Sequence, residues 1–449
     1  MEKVRELELS AFIPPPNGRL EKSGVVEWGT DFRTYDRYVE YKNCGFTDIM
    51  LAGEDKYEGE PYETSDIKML LDLAHKVGLK AIIIDGRILS MSINAKNSVL
   101  EEYFNGDQDK MHEYFADCMK DYKLHPAFYG LAIIDEPTYE KTQVVKEITQ
   151  MIKAVKADTF VHTCFLPPAD ESVDTSNERI EKTFGKGFSS VWTAYESYMQ
   201  GMCETGLGYY GFDRYPLGFW EGKNSVAPYY LRMVQTVAEK SIENDVAFHI
   251  TIQSFASGKD YVIRPPQECD LNWQTNIALG FGCEKIYYYS YWRFRVRTHE
   301  YDHCSGIIDD DGTKIIYDEV QRNNALAKRT YQFLRDYMYT ASRILKTEKN
   351  MNQALWSLKE KDFGFVASHT ATAPVLLNKL SKQDGDIYMV MNMRDPYEQE
   401  MNTVKLRMEN PKPVYDVVVR GRKMQILGEG EWLSFTLEPG EAVFIIDEK

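Results

Sequence analysis

The sequence predicts an α/β fold, a (β/α)8 TIM barrel with a C-terminal antiparallel β-sandwich domain. Three observations support this prediction. The chain of 449 residues is longer than one average domain, eight short apolar runs recur along its first two thirds, and the pattern changes near residue 346. We therefore assign residues 1–346 to a barrel domain and residues 347–449 to a β-sandwich domain.

The eight runs are almost continuously apolar or β-branched, which is typical of parallel strands that are covered on both faces. They are Leu9–Ile13, Thr47–Ala52, Ala81–Asp85, Tyr129–Asp135, Phe160–Phe165, Leu207–Phe212, Val246–Ile252 and Lys285–Tyr291. Eight alternations of strand and helix can close into a barrel.

Helical patterns lie between these runs. After Ser65, a plausible N-cap, apolar residues recur at helical spacing until Gly78. Similar patterns cover Gln143–Ala157, Ala227–Ile242 and Asn272–Gly280. The alternative is an open doubly wound sheet. It is disfavoured because the loop after the first run carries Pro14-Pro15-Pro16 instead of a glycine-rich phosphate-binding turn.

The last hundred residues show short alternating strands separated by turn signals such as Pro439-Gly440. The predicted strands are Phe363–Ser368, Asp386–Asn392, Thr403–Met408, Val414–Val419, Trp432–Leu437 and Ala442–Ile446. We predict that a long helical stretch, Tyr317–Leu345, connects the two domains.

Charge and composition exclude several classes of function. The formal net charge of −16 opposes binding to nucleic acid or to an anionic membrane. The seven cysteines are scattered without zinc-site spacing, so we expect reduced thiols and no metal or cofactor. The N-terminal residues lack the apolar core of a signal peptide, which predicts a cytoplasmic protein unless such a peptide has been removed. Whether the chain forms a homo-oligomer is open.

Polar and aromatic residues end the predicted strands, where barrel enzymes place their active sites. They are Asp85 and Arg87, Asp135 and Glu136, His162 and Cys164, Asp213, His249 and Gln253, and Tyr289 with Trp292. Paired carboxyl groups among hydrogen-bonding and stacking side chains suit the cleavage of a glycosidic bond. Aromatic residues make up 13% of the chain; they stack on sugars in this interpretation, and a Tyr-rich core is the alternative.

Asp135-Glu136-Pro137 is the sharpest motif, because a buried strand would carry two carboxylates to the barrel mouth. An acidic start to a helix is its alternative. Asp213 is the second catalytic candidate, and a turn cap or a pair with Arg214 is the alternative.

We predict that Asp85, Asp135, Gln253, Tyr289 and Trp292 bind the substrate. Structural roles are open for most of this set. They are an ion pair of Asp85 with Arg87, a backbone-bonded amide at Gln253, and core or rim packing for Tyr289 and Trp292.

These motifs resemble the glycoside hydrolases of the large (β/α)8 clan, especially its beta-galactosidase-like members. The resemblance covers about residues 8 to 345 and rests on Tyr129–Pro137, Phe212–Pro216 and Asn276–Gly282. It implies that Glu136 is the general acid, although Asp135 stands where the clan usually has Asn. It also implies a nucleophilic Glu at the end of the seventh strand, where this chain has Gln253.

Three alternatives follow from that departure. Asp213 supplies the second carboxylate, or the enzyme inverts with a wider carboxyl separation, or the barrel binds a carbohydrate without cleaving it. A metal-dependent hydrolase that uses Asp135, Glu136, Asp213 and His162 is a further alternative, although the eight histidines form no HExxH or HxH pattern.

Overall fold

The computed structural model describes residues 5–22, 25–52, 64–168, 178–220, 223–258, 263–294, 296–297, 304–346 and 352–448. The chain forms two compact units. The first unit comprises Leu9–Asp213 and Lys240–Thr251, and the second comprises Met1–Glu8, Arg214–Glu239 and Ile252–Lys449.

The described residues contain the following α-helices: α1 (Tyr35–Asn43), α2 (Thr64–Lys76), α3 (Gly86–Asn94), α4 (Val99–Phe104), α5 (Gln108–Met119), α6 (Thr142–Val155), α7 (Glu178–Phe184), α8 (Val191–Cys203), α9 (Tyr230–Glu243), α10 (Glu268–Gly280) and α11 (Tyr317–Leu334). The strands as far as α11 are β1 (Glu8–Ala11), β2 (Arg19–Lys22), β3 (Val25–Trp28), β4 (Asp48–Ala52), β5 (Lys80–Ile84), β6 (Phe128–Ala132), β7 (Phe160–His162), β8 (Tyr209–Asp213), β9 (Leu217–Trp220), β10 (Lys223–Val226), β11 (Ala247–Gln253), β12 (Lys285–Tyr289) and β13 (Val296–Arg297). The later strands are β14 (Met338–Leu345), β15 (Val366–Ala371), β16 (Val375–Lys382), β17 (Gly385–Asn392), β18 (Asn402–Met408), β19 (Val414–Val419), β20 (Arg422–Leu427), β21 (Trp432–Leu437) and β22 (Ala442–Glu448).

Parallel strands form the centre of the first unit. Strands β4, β5, β6 and β7 are hydrogen-bonded in that order, and the first unit's part of β11 pairs in parallel with β8. The gap between β7 and β8 is bridged by Phe165, whose N–H donates to the carbonyl of Gly211 at 2.8 Å. On the other side, Thr47 donates its N–H to the carbonyl of Leu9 at 2.7 Å, which brings β1 beside β4. Each of the eight predicted runs overlaps a strand, so the presence of these strands is confirmed, although several bounds differ by up to three residues.

These strands form because both of their faces are buried. Four of the five residues of β4 are buried, and so are Ala81, Ile82 and Ile83 of β5. Burial of apolar surface stabilises the folded state by roughly 25 cal/mol for each Å² that is removed from water. Close packing of the backbones also needs a glycine, since a Cβ on Gly130 of β6 would lie 2.2 Å from the carbonyl oxygen of Phe160 on β7.

Helix α11 is shorter than the sequence predicted. The predicted helix Tyr317–Leu345 ends at Leu334, and residues Met338–Leu345 are strand β14. The prediction was wrong because the first four residues of this strand alternate between exposed and buried positions, and strand pairing with β16 overrides the helical pattern.

Two antiparallel sheets follow in the second unit. One has the order β14-β16-β17-β22-β19-β20 and the other β15-β18-β21. Both contribute to one apolar core cluster, with Leu377 and Val390 from the first sheet and Leu406 and Leu433 from the other. Parallel sheets, antiparallel sheets and helices are therefore all present, as the fold class requires.

Helix α10 packs tightly against the six-stranded sheet within the second unit. A Cβ on Gly280 would lie 2.3 Å from the sulfur of Met389, and Asn378 donates its side-chain amide to the carbonyl of Gly280 at 3.0 Å. A side-chain amide of Asn276 binds the carbonyl of Gly440 at 2.9 Å. The helix and the sheet therefore form one packed body.

Candidate active site

The carboxyl ends of β6, β7, β8 and β11 place polar side chains along one edge of the first unit. Beyond the end of β6, Glu136 donates its N–H to the carbonyl of Cys164 at 3.0 Å. Cys164 precedes Phe165, which is bridged to Phe212 of β8. Asp213 ends β8 and lies opposite Thr251 of β11. Because strand order fixes this edge, Asp135, Cys164, Asp213 and Thr251 follow one another around it.

The turn that carries the two acidic residues is tightly constrained. Ile133 and Ile134 are buried, whereas Asp135 and Glu136 are exposed. Glu136 has a positive φ of 46°, a left-handed conformation that costs a non-glycine residue about 1–3 kcal/mol. The phenol of Tyr198 on α8 donates to the carbonyl of Pro137 at 2.5 Å. The surrounding structure thus holds Glu136 in a conformation that it would not adopt alone.

Asp135 combines solvent contact with strong desolvation. Its surface reaches solvent, yet the protein atoms around it raise the pKa of its carboxyl to about 6. Desolvation by burial is the larger cause and the negative charge of Asp213 is the second; the backbone N–H groups of Glu136 and Cys164 oppose both. A carboxyl whose pKa is raised in this way at the ends of parallel strands is a candidate functional residue.

Cys164 lies among the three carboxylates. Burial raises the pKa of its thiol well above the usual range, and the charges of Asp213, Asp135 and Glu136 raise it further, in that order. Its sulfur lies 3.3 Å from the hydroxyl of Thr251. A thiol in this environment stays protonated, so Cys164 is a packing and hydrogen-bonding residue rather than a nucleophile.

Two histidines lie one layer deeper. His162 and His249 precede Cys164 and Thr251 by two residues each, and their ring centroids are 5.1 Å apart. His249 Nε2 lies 3.2 Å from the carbonyl oxygen of Thr163. A Cβ on Gly211 would lie 2.4 Å from His249 Nδ1, so only glycine leaves room for this ring. Both imidazoles are therefore buried polar groups that lie deeper in the first unit than the carboxylates.

The side-chain amide of Gln253 forms hydrogen bonds with backbone groups within the second unit. It is fully buried, and its amide oxygen accepts the N–H of Leu217 at 3.0 Å. Its amide nitrogen donates to the carbonyls of Leu217 at 3.0 Å and Arg264 at 2.7 Å. A substrate hydroxyl would have to displace these bonds, so the geometry favours the structural alternative for this residue.

The two aromatic candidates, both in the second unit, differ in exposure. Tyr289 is partly exposed, and its ring lies 5.5 Å from Tyr215 and 5.0 Å from Phe255. Trp292 is fully buried and therefore presents no ring face to a ligand from solvent. Core packing is the role that the geometry favours for Trp292, while Tyr289 keeps a surface that a sugar could contact.

Asp85 forms the ion pair that the sequence left open as a structural alternative. Its carboxylate is buried and receives two bonds from the Arg87 guanidinium, at 3.0 and 2.7 Å. The Tyr122 phenol donates a third bond at 2.9 Å, and the N–H of Arg87 makes Asp85 the N-cap of α3. The predicted ion pair is confirmed, and these bonds fix the start of α3.

Several contributors to this edge could not be identified from sequence. Tyr195 and Tyr198 lie on a helix, far along the chain from the acidic motif, and their only signal is a helical repeat that equally predicts core packing. Among the described residues, no group of three or more His, Cys, Asp or Glu side chains is arranged to hold a metal ion. None of the described helices is both long and apolar enough to cross a membrane.

Solved structures with a similar fold are glycoside hydrolases. An alpha-amylase from Geobacillus thermoleovorans, complexed with acarbose, aligns with a TM-score of 0.55 at 15% identity over 99% of this chain and 98% of that one. A family 5 glycoside hydrolase from Bacteroides vulgatus aligns at 0.54 and 10% identity over 100% and 93%. A beta-galactosidase from Rahnella sp. R3 aligns at 0.52 and 9% identity over 100% and 99%.

Neither a protein-family model nor a curated protein matches the sequence. Identities of this size show a shared fold and leave activity open. The resemblance that the sequence motifs suggested is thus confirmed at the level of the fold: this chain has a glycoside hydrolase-like fold.

Proposed function

We propose that this protein is a glycoside hydrolase that cleaves an O-glycosidic bond at the carboxyl ends of its parallel strands. The observation that carries the proposal is the meeting of Asp135, Glu136 and Asp213 around Cys164 at that edge. Carboxyl groups placed in this way in a glycosidase-like fold are suited to acid and base chemistry on a sugar.

The proposal includes a closed (β/α)8 barrel in residues 1–346, with β12 as its eighth strand, and a β-sandwich in residues 347–449. Two hydrogen bonds support this assignment of β12. Glu8, the first residue of β1, donates its N–H to the carbonyl of Glu284 at 3.1 Å, and Ser254, which follows β11, donates to the carbonyl of Tyr289 at 2.9 Å.

In the proposed reaction Glu136 gives its proton to the glycosidic oxygen as the bond to the anomeric carbon breaks. Asp213 either takes a proton from a water that attacks this carbon, or attacks it directly to form a glycosyl ester that water then cleaves. Neighbouring strands lie about 4.8 Å apart, so residues at the ends of β6 and β8 start roughly 10 Å apart at the backbone. Side chains that converge from there reach the carboxyl separations of roughly 5 to 9.5 Å that glycosidases use.

A substrate contact is proposed for Asp135, which is exposed at the ends of the strands. For Tyr289, in the second unit, sugar binding stays a prediction that its partly exposed ring permits. Asp85, Gln253 and Trp292 belong to the supporting structure in this proposal, because their polar groups or ring faces are already used within the protein. An oligosaccharide or a simpler glycoside is the proposed substrate class.

The test is hydrolysis of a panel of aryl glycosides and oligosaccharides by wild type, Glu136→Gln and Glu140→Gln. Glu140 is an exposed carboxylate near the same turn and serves as the matched control. We expect activity in wild type and in Glu140→Gln, and a loss of roughly 10²–10⁴-fold in Glu136→Gln.

Binding of a sugar without turnover in any variant would replace the proposal with a carbohydrate-binding barrel. Loss of wild-type activity on treatment with a chelator would replace it with the metal-dependent alternative.

A further inference from the structure

A cavity of about 520 Å³ lies within the second unit. Its walls come from α10, α11 and β22, and from the turns that follow β19 and β21. All of its lining residues belong to the second unit, so Asp135, Glu136 and Asp213 are not among them. Small-molecule sites usually occupy about 300–1,000 Å³ and combine apolar surface with a few polar groups. This cavity therefore has the size of a ligand site.

The wall formed by α10 is polar, although most of this helix is buried. Cys269, Asn272 and Asn276 are three and four residues apart, so they lie on one face of the helix. Asparagine is a poor helix former, so helix stability does not explain two of them on this face. Asn276 binds the Gly440 carbonyl, whereas the buried Oδ1 of Asn272 accepts no hydrogen bond from the described residues. The amide of Asn272 thus has hydrogen-bonding capacity that the protein leaves unused.

Two turns hold the cavity in a fixed shape. In the turn after β21, a Cβ on Gly440 would lie 2.2 Å from the carbonyl oxygen of Cys269. In the turn after β19, a Cβ on Gly421 would lie 2.6 Å from the Cβ of Arg329 on α11. Both turns therefore contact a helix as closely as glycine allows. A cavity that is formed before its ligand arrives avoids the entropic cost of ordering loops on binding.

Apolar side chains form the other side of the cavity. Leu326 lies on α11, one turn before Thr330, and Ala442 and Phe444 share one face of β22. Thr330, Ala442 and Phe444 are buried, and Leu326 is partly exposed. These side chains can contact the C–H groups of a ligand whose polar groups bind to α10.

The charged residues of the cavity are already paired. Arg420 binds Glu441 at 2.9 Å and also binds Glu438. Glu268 binds Arg322 at 2.8 Å. An anionic or a cationic ligand would have to displace one of these bonds. Side-chain amides both donate and accept hydrogen bonds, as hydroxyl groups do, so the lining favours a neutral ligand that carries several hydroxyl groups.

We propose that this cavity binds a small neutral polyhydroxy compound, such as a monosaccharide or a disaccharide. Its hydroxyl groups bind the amide of Asn272, and its C–H groups lie against Leu326 and Phe444. The inference goes beyond the proposed glycosidase function and does not depend on it, because the two sites share no residue.

The binding test uses Cys269 as its reporter. Cys269 lines the cavity and is partly exposed, and Cys203 of the first unit is the other cysteine that is not buried. Burial raises the pKa of the Cys269 thiol, so alkylation by iodoacetamide is followed by peptide mass spectrometry at about pH 9, where more thiolate is present. The neutral probes are glucose, galactose, mannose, maltose and cellobiose, and the charged probes are gluconate and choline. At about ten times its Kd, a neutral sugar should slow alkylation of Cys269 about tenfold and leave that of Cys203 unchanged.

Variants then locate the binding. Asn272→Leu replaces the amide by an apolar side chain of similar size and should weaken binding about tenfold. Leu326→Trp fills the cavity and should abolish the protection, whereas Ala325→Trp places the same ring at an exposed position of α11 and should keep it. Glu136→Gln should keep the protection too, because Glu136 does not line the cavity. Calorimetry checks that each variant is folded, and if Leu326→Trp is not, Asn272→Leu decides.

The inference is overturned if none of the neutral sugars protects Cys269, or if Leu326→Trp and Ala325→Trp are protected equally. Protection by gluconate or choline alone would also overturn it, because the ligand would then be an ion. If wild type cleaves no glycoside while a neutral sugar protects Cys269, the proposed function fails and the cavity remains a binding site.

Discussion

Arg264 and Asp270 form a buried ion pair in the second unit, and its removal tests how that unit is held together. The guanidinium is 3% exposed and the carboxylate 0%. Two bonds of 2.5 and 2.7 Å join them, and Asp395 accepts a third from the same guanidinium at 3.1 Å. Asp270 also accepts the N–H of Gln267 at the start of α10. The perturbation is Arg264→Met, which keeps an unbranched apolar stem and removes the guanidinium with its charge.

The expected cost follows from leaving Asp270 buried without its cation. A unit charge pair about 4 Å apart is worth roughly 4 kcal/mol at an effective dielectric of 20. Removal of one partner of a buried pair typically destabilises a protein by about 3–5 kcal/mol. In a unit of this size each kcal/mol lowers the melting temperature by roughly 2–4 °C. We therefore expect the Tm of the second unit to fall by about 10 °C.

The assay is calorimetric and denaturant unfolding of Arg264→Met beside Arg322→Met. Arg322 pairs with Glu268 at 2.8 Å, but the side chains are 53% and 42% exposed, so its loss should cost at most about 1 kcal/mol. The double variant Arg264→Met/Asp270→Asn removes both charges and should be more stable than Arg264→Met alone. If Arg264→Met is no less stable than Arg322→Met, the reasoning about the buried charge is refuted.

Three further predictions concern the first unit and Trp292. Because the pKa of Asp135 is raised to about 6, the folded protein binds its proton more tightly than the unfolded chain, and stability should fall as the pH rises from about 4 to about 6. Denaturant titrations should show that the free energy of unfolding of Asp135→Asn rises relative to that of wild type between pH 4 and pH 7.5. The relative gain should be about 1 kcal/mol after a discount for solvent access, and an unchanged difference would contradict this. Trp292 is fully buried, so Trp292→Ala should lower the free energy of unfolding by about 3–5 kcal/mol in the same assay. If the variant is as stable as wild type and only binds sugar more weakly, Trp292 stacks on the substrate instead. Gly211→Ala should displace the His249 ring, since the new Cβ would lie 2.4 Å from Nδ1, and should lower Tm by several degrees. An unchanged Tm and an unchanged imidazole NMR spectrum would show that the strands can separate freely.

The sequence predicted the parallel strands well because their burial on both faces leaves continuous apolar runs. It predicted the acidic edge for the same reason, since residues that end such strands must share one edge of the sheet. Strand β20 was missed: its residues Arg422–Leu427 are almost all exposed and show no alternation. Strand β14 was assigned to a helix, because its pairing with β16 depends on residues about 30 to 43 positions away.

The roles of single side chains were less predictable than the elements that carry them. The side-chain amide of Gln253 forms hydrogen bonds with the backbone of Leu217 and Arg264, and no local sequence pattern predicts such partners. The burial of Trp292 likewise depends on the loop near Ile308, which is bridged to it. The raised pKa of Asp135 depends on desolvation by the surrounding protein and on the charge of Asp213, which is distant in sequence.

The division of the chain into its two units constrains how it can fold during synthesis. All residues of the first unit, including the three carboxylates, have been translated once Thr251 emerges from the ribosome. The second unit combines Arg214–Glu239 with Ile252–Lys449, so its early segment must wait for about two hundred residues before its partners exist. Helix α10, packed through Gly280 onto Met389, belongs to this late body. A nascent chain stalled before the last sheets would therefore expose the apolar residues of the second unit that still lack their partners, and chaperones would recognise those segments.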